Sequence, residues 1–140
     1  GHAGGAAMKQ WTAIDVVKRF ESAVYTLKRL PPVRVMGYKT QWPAVMLTEA
    51  EKLQADKLPL RLGPPSAQAI AEMEETIQWI FFLDDEIDRR LIWLRAARVP
   101  WKPIAKRLGY CRTTLHYRYR VAVYMITMRL NSAQGGLPRV

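Results

Sequence analysis

Apolar residues recur at three- and four-residue intervals along most of the chain, the spacing of one face of an α-helix. The first such stretch runs from about residue 12 to residue 30. Its predicted inward residues are Ile14, Val17, Val24, Leu27 and Leu30. Thr12 and Asp15 have the spacing of a capping box, and Pro31-Pro32 ends the pattern because proline supplies no backbone donor.

Two more helices are predicted before the chain becomes strongly basic. One begins at Trp42-Pro43 and runs to about Lys57, because proline suits the first helical position. Residues 58–65 follow as a linker rich in proline. Ser66 is then a good N-cap for a helix that reaches about Leu83. Its predicted inward residues are Ile70, Met73, Ile77 and Ile80, and Trp79, Phe81 and Phe82 make its end apolar nearly all round. We expect that end to lie buried between neighbours.

Four carboxylates then stand within the five residues 84–88. Such a group can hold a divalent metal. Capping is the preferred interpretation, because acidic side chains at a helix start face the positive end of the helix dipole. The helix that follows runs to about Arg98, with Ile87, Leu91, Leu94 and Ala97 as its predicted inward residues.

Residues 99–130 have the pattern of a helix-turn-helix. A short helix is predicted over residues 101–108, then a turn at 109–111, then a long helix from Arg112. Gly109 stands where the first helix must end and a positive φ is required. The predicted inward residues are Ile104, Ala105 and Leu108 in the first helix, and Leu115, Tyr119, Ala122 and Ile126 in the second. Cys111 is expected at the N-cap as a small packing residue.

The second half of the long helix is apolar on more than one face. The additional apolar residues are Val121, Val123, Tyr124, Met125 and Met128. Packing on the helix at 66–83 is the favoured interpretation, and a homodimer seam is the alternative, so the protein is a monomer or a homodimer.

The chain is therefore predicted to be all-α, with about six helices and a C-terminal helix-turn-helix. Residues 1–7 look like an expression scar before Met8. Residues 8–65 form an N-terminal helical region, residues 66–130 the helix-turn-helix with its supporting helices, and residues 131–140 a flexible tail.

The charge of the 140-residue chain, +10 overall, is divided between two unlike halves. Residues 1–88 contain ten basic and all twelve acidic residues, a net charge of −2. Residues 89–140 contain twelve basic residues and no acidic one, a net charge of +12. Such asymmetry indicates a polyanion or an acidic protein as partner.

Several classes of protein are disfavoured by composition. A single cysteine, Cys111, forms no intramolecular disulfide and indicates a cytoplasmic protein. With His116 as the only histidine outside the first seven residues, neither a zinc site nor a Ser-His-Asp set is expected. No apolar run approaches membrane-spanning length. We therefore expect no membrane association, no cofactor, no metal and no catalytic residues.

Residues 87–123 resemble region four of bacterial sigma factors. The resemblance rests on a Leu94-Arg95-Ala96 helix that precedes the Ile104-Ala105 to Leu108-Gly109 helix and the recognition helix. Pro100 and Pro103 depart from that pattern, since serine or threonine caps and acidic residues usually stand there. The resemblance implies DNA binding and an association with RNA polymerase.

The whole chain also resembles a poorly characterised family of short helix-turn-helix proteins in prophages and gene transfer agents. The residues that carry this second resemblance include Leu30–Arg34 and Trp101–Ile104. It implies an activator of late phage genes.

Helix geometry gives the candidate DNA contacts, because residues near the start of a recognition helix reach base edges. Base-reading residues are predicted to be Arg112, Thr113, His116, Tyr117 and Arg120, and phosphate-contacting residues Lys102, Lys106, Arg107, Thr114 and Arg118. Arginine and histidine donate to guanine, and the threonine methyl contacts thymine.

The resulting hypothesis is a nucleoid-associated transcription regulator that binds double-stranded DNA, sequence-specifically, alongside RNA polymerase. Three alternatives remain open. They are a sigma-like adaptor that binds polymerase without DNA, a DNA-packaging adaptor like a phage small terminase subunit, and a nuclease with a metal at residues 84–88. The nuclease is the least favoured, because the sequence contains no recognisable pair of a nucleophile and a general base.

Overall fold

The computed structural model describes residues 10–30 and 63–134, and within them every regular element is helical. Five α-helices and one 3-10 turn are present in these two ranges. They are α1 (Ala13–Arg29), α2 (Ala67–Trp79), the 3-10 turn (Ile80–Phe82), α3 (Glu86–Ala96), α4 (Trp101–Leu108) and α5 (Arg112–Gln134). The prediction of an all-α protein is confirmed. The helix predicted at residues 42–57 lies outside the described residues.

Helix α1 begins with the predicted capping box. The side chain of Thr12 accepts from the backbone N–H of Asp15, and the Asp15 carboxylate accepts from the backbone N–H of Thr12, each at 3.1 Å. Three of its five predicted inward residues, Val24, Leu27 and Leu30, are confirmed as buried. Val16, Phe20, Ala23, Val24, Leu27 and Leu30 are buried, whereas Val17 is half-buried and Ile14 is 66% exposed. Apolar positions at three- and four-residue intervals fit more than one helix face, and the packing partners decide between the faces.

Helix α2 begins at the predicted cap, where Ser66 Oγ accepts from the backbone N–H of Ala69 at 3.0 Å. It ends earlier than predicted, because the chain tightens into the 3-10 turn after Trp79. Met73, Ile77 and Ile80 are buried as expected, along with Trp79. Phe81 was expected to be buried and is 47% exposed.

Helix α3 is capped at both ends. At its start Asp85 Oδ1 accepts from the backbone N–H of Ile87 at 2.7 Å and of Asp88 at 3.3 Å. At its end Arg98 takes a left-handed conformation, with φ of 66°. The N–H of Val99 donates to the carbonyl of Leu94 and that of Arg98 to the carbonyl of Arg95, which is the Schellman pattern. The chain therefore turns sharply before α4.

Aromatic side chains hold α1, α2 and α3 together. The ring of Phe20 packs edge-on against Trp93, with centroids 5.0 Å apart, and against Trp79, with centroids 6.1 Å apart. Trp11 also packs edge-on against Trp79, with centroids 5.0 Å apart. Edge-to-face pairs of this kind add about 0.5–1.5 kcal/mol beyond their burial. The core thus joins the first part of the chain to the helices that support α4 and α5.

The far end of α5 is anchored to the start of the described chain. Asn131 Oδ1 accepts from the backbone N–H of Trp11 at 2.7 Å, and Asn131 Nδ2 donates to the backbone carbonyl of Trp11 at 2.9 Å. Residues 131–134, the first part of the predicted tail, continue α5 as helix. The rest of that tail, 135–140, lies outside the described residues.

Candidate nucleic-acid interface

The turn between α4 and α5 has the predicted geometry. Gly109 has a φ of 79°, and its N–H donates to the carbonyl of Ala105 at 2.9 Å. Ile104 and Leu108 of α4 are buried, and so are Leu115, Ala122 and Ile126 of α5, while Ala105 and Tyr119 are half-buried. Burial raises the pKa of Tyr119 above its ordinary value. The inward face of α5 fixes which residues point outward.

Four of the five predicted base-reading residues lie on the exposed side of the first turns of α5. Arg112, Thr113 and Arg120 are exposed, and Tyr117 is 62% exposed. Thr113, Tyr117 and Arg120 are spaced by four and three residues and therefore share one helix face. On α4 the predicted phosphate-contacting residues Lys102, Lys106 and Arg107 are exposed as well.

His116, the fifth predicted base-reading residue, is exposed but stacked on the ring of Trp101. The two ring centroids are 3.9 Å apart and the planes are inclined by 28°. The guanidinium of Arg95 lies over the Trp101 ring at 4.4 Å from its centroid, and Tyr119 meets it edge-on at 5.7 Å. His116 therefore joins α5 to α4 through Trp101, a role that its sequence position did not indicate.

Arg118, predicted to contact a DNA phosphate, is instead committed to carboxylates. Its Nε donates to Asp88 Oδ1 at 2.9 Å, and its Nη2 lies 3.1 Å from Asp85 Oδ1. The hydrogen bond to Asp88 raises the pKa of Arg118. Desolvation raises the pKa of Asp85, but the backbone hydrogen bonds from Ile87 and Asp88, with the Arg118 charge, outweigh it and leave that pKa below its ordinary value. Arg118 thus ties α5 to the start of α3.

Other arginines of the basic half also have internal partners. Arg89 Nε donates to the carbonyl of Leu83 at 2.7 Å, and Arg95 Nη1 donates to the carbonyl of Val99, also at 2.7 Å. Arg129 lies over the ring of Phe82 at 4.9 Å. The charge of +12 read from the sequence therefore overstates the cations available to a partner. The cations exposed on α4 and at the start of α5 are Lys102, Lys106, Arg107, Arg112 and Arg120, and Arg107 also interacts within the protein.

Cys111 directly precedes α5, and its carbonyl accepts from the backbone N–H of Leu115 at 3.1 Å. This is the predicted N-cap position, but the residue is exposed and does not pack. Its Sγ lies 3.2 Å from the hydroxyl of Thr114, a predicted phosphate contact that is also exposed. The hydrogen bond with the Thr114 side chain lowers the pKa of the thiol, and hydrogen bonds from nearby backbone N–H groups lower it further.

The second half of α5 exposes most of its additional apolar residues. Val123 is buried, whereas Val121, Tyr124, Met125 and Met128 are 39%, 60%, 44% and 49% exposed. These four residues are exposed, against the favoured prediction that they pack on the helix at 66–83, and Val123 is buried.

Metal binding and membrane crossing receive no support from the described residues. Asp85 acts as the N-cap of α3, as preferred from the sequence. Within 10–30 and 63–134 no group of three or more histidine, cysteine or acidic side chains is arranged to hold a metal ion. None of the helices in those ranges has the length and apolarity needed to cross a bilayer.

The described residues define an all-α protein in which a short and a long helix, joined by a three-residue turn, present exposed basic residues. The chain belongs to DUF6362, a family defined by a domain of unknown function, whose model matches residues 28–126. The match extends from the end of α1 into the second half of α5. No curated protein and no solved structure matches the chain.

Proposed function

We propose that this protein is a transcription regulator that binds double-stranded DNA sequence-specifically through α4 and α5. The observation that carries the proposal is the exposed face of α5 formed by Thr113, Tyr117 and Arg120, directly after a left-handed turn at Gly109. A helix in that arrangement enters the major groove with its first turns against the base edges. Arg112 and Arg120 are suited to guanine, and the Thr113 methyl to thymine.

The cations of α4 have a different role in the proposal. Lys102, Lys106 and Arg107 lie on the helix that crosses the backbone in this docking mode, where lysine and arginine bind phosphates. Phosphate contacts position the protein without reading sequence. They make log K fall by about 0.9 per tenfold rise in salt for each phosphate neutralised. Thr114 adds a hydroxyl donor at the start of α5.

In this proposal His116 contacts a base while its ring stays stacked on Trp101. The stack leaves the imidazole exposed and fixes its plane. A rigidly held side chain loses less conformational entropy on binding. Arg118 is left out of the interface, because its guanidinium already binds Asp85 and Asp88.

An association with RNA polymerase and a role in prophages or gene transfer agents are part of the same proposal. Both rest on the resemblances carried by residues 87–123 and by the whole chain. The adaptor alternative has no need of duplex DNA, so a polymerase pull-down and a duplex-binding assay together separate the two. A polymerase pull-down together with no shift of any duplex at low salt favours the adaptor.

The proposal is tested by selecting bound duplexes from a random pool and reading them for one enriched motif. Arg112→Ala and Arg120→Ala should each relax the preference at one position, at a cost of about 1–3 kcal/mol. Lys18→Ala, which removes an exposed charge on α1, is the matched control and should leave the motif unchanged. An unaltered motif and affinity in both arginine variants would assign recognition to another surface.

A further inference from the structure

A groove of about 490 Å³ lies between α1 and α5. Its apolar lining includes Ile14 and Val17 from α1 and Val123 and Tyr124 from α5. Ile14 is 66% exposed and Tyr124 is 60% exposed, so large apolar side chains border an open space. The groove does not overlap the exposed cations of α4, and it shares only Arg120 with the proposed DNA-reading face.

The border of the groove carries a positive charge. Lys18 and Arg120 line it, and neither forms an ion pair with any residue in 10–30 or 63–134. The single acidic residue in the lining is Glu21, whose Oε1 lies 3.8 Å from Nη2 of Arg98. The half-buried Tyr119 has a raised pKa and is neutral near pH 7. An occupant therefore meets an apolar floor with two cations beside it.

We propose that this groove binds an amphipathic helix of another protein, whose apolar stripe is flanked by aspartate or glutamate. A groove between two helices accepts a third helix through anchors spaced i, i+3 or i+4, and i+7. Carboxylates on its flanks would meet Lys18 and Arg120. This inference does not rest on DNA binding and stands or falls separately.

A second copy of the chain fits the groove less well than an acidic partner. A symmetric dimer brings the same surface of both copies together. Each copy would bring two cations, Lys18 and Arg120, and one carboxylate, Glu21, to the shared surface, so both faces would be net positive. Like charges placed together across an interface oppose association. Charge complementarity thus selects an acidic helix.

The experiment uses the full chain and two fluorescein-labelled synthetic helices of about four turns. Both carry leucine at the anchor positions, and one has glutamate and the other lysine on the flanks. Fluorescence anisotropy should show binding of the glutamate peptide and at least about tenfold weaker binding of the lysine peptide. Lys18→Glu and Tyr124→Ser should each weaken the glutamate peptide by about fivefold or more. Met125→Ser is the matched control, because Met125 is similarly exposed and lies outside the groove lining.

Other occupants give different results. Equal affinity for both peptides, or an affinity that Tyr124→Ser leaves unchanged, would overturn the proposal. A groove filled by a segment of the same chain would bind neither peptide and would overturn it too. Sedimentation that shows a dimer, broken by Tyr124→Ser but not by Met125→Ser, would assign the groove to a second copy. Duplex binding is measured on the same variants. If the chain binds duplex DNA but not the glutamate peptide, the groove proposal is wrong. If it binds the peptide but no duplex, the DNA-binding proposal is wrong.

Discussion

The Nε of Arg118 donates to Oδ1 of Asp88 at 2.9 Å, which links α5 to the first turn of α3 across thirty residues of sequence. Both side chains are 25% exposed, so the pair is largely shielded from water. The ring of Tyr110 lies under the same guanidinium, 5.2 Å from its centroid. Arg118 therefore fixes the orientation of the helix that is proposed to read DNA.

Replacing Arg118 with methionine should destabilise the fold by about 1–2 kcal/mol, because Asp88 then loses a charged donor. The salt dependence of duplex binding should keep its slope, since no phosphate contact is lost. Lys106→Ala is the comparison, and it should reduce that slope by about 1. Urea unfolding and duplex titration over a range of salt measure both quantities. If the salt-dependence slope falls equally in both variants, Arg118 contacts a phosphate after all.

Acid should remove part of the stabilisation at this link. The pKa of Asp85 is lower in the folded chain than its ordinary value of 3.8. Its contribution is therefore complete above that ordinary value and is lost as pH falls through the folded pKa. Asp85→Asn should be less stable than the wild type at pH 7, with the difference shrinking towards pH 2. Unfolding curves across that range test it, and a constant difference would contradict the assignment.

The two left-handed turns should respond oppositely to substitution. Gly109 has a φ of 79°, and an added Cβ would meet no atom within 4 Å. Gly109→Ala should therefore cost about 1 kcal/mol or slightly more, from backbone strain alone, and Gly109→Asn less. Urea unfolding gives the comparison. An alanine variant as stable as the wild type would mean that the turn relaxes to another conformation.

Arg98 occupies the corresponding position after α3, with a φ of 66° but with a side chain. Arg98→Gly should stabilise the protein by up to about 1 kcal/mol, since relief of the strain exceeds the added freedom of the unfolded chain. The ion pair with Glu21 is long, and Arg98 is 68% exposed, so little is lost with it. Arg98→Ala, which keeps the strain and removes the side chain, is the control. A destabilised glycine variant would show that the side chain outweighs the strain.

Cys111 should be alkylated at lower pH than an ordinary thiol. Its pKa is lowered from 9.0 by the hydrogen bond with Thr114 and by backbone N–H groups at the start of α5. Iodoacetamide rates followed by mass spectrometry should have a midpoint below 9.0, and Thr114→Val should raise that midpoint. Cys111→Ser, which has no thiol, should not be alkylated and verifies that the signal comes from this residue. If α5 enters DNA as proposed, a specific duplex should also slow the reaction. An unchanged midpoint in the Thr114 variant would exclude the hydrogen bond as the cause.

Local sequence patterns were enough to predict the helical class and most of the helix ends. Thr12, Ser66 and Gly109 stand where predicted, and Asp85 is the member of the predicted acidic group that caps α3. Each acts on backbone groups two to four residues away, so the information lies within one local segment. The inward residues Leu115, Ala122 and Ile126 of α5 follow from the same local periodicity. The exposed start of α5, where the candidate site lies, was predictable for that reason.

Which charged and apolar residues remain available at the surface depends on how the helices pack together. Arg118, a predicted phosphate contact, binds Asp85 and Asp88, and Ile14, a predicted core residue, is 66% exposed. Asn131 is held by Trp11, 120 residues earlier in the chain. These outcomes depend on contacts between helices far apart in sequence, and local spacing contains no record of which helices pack together.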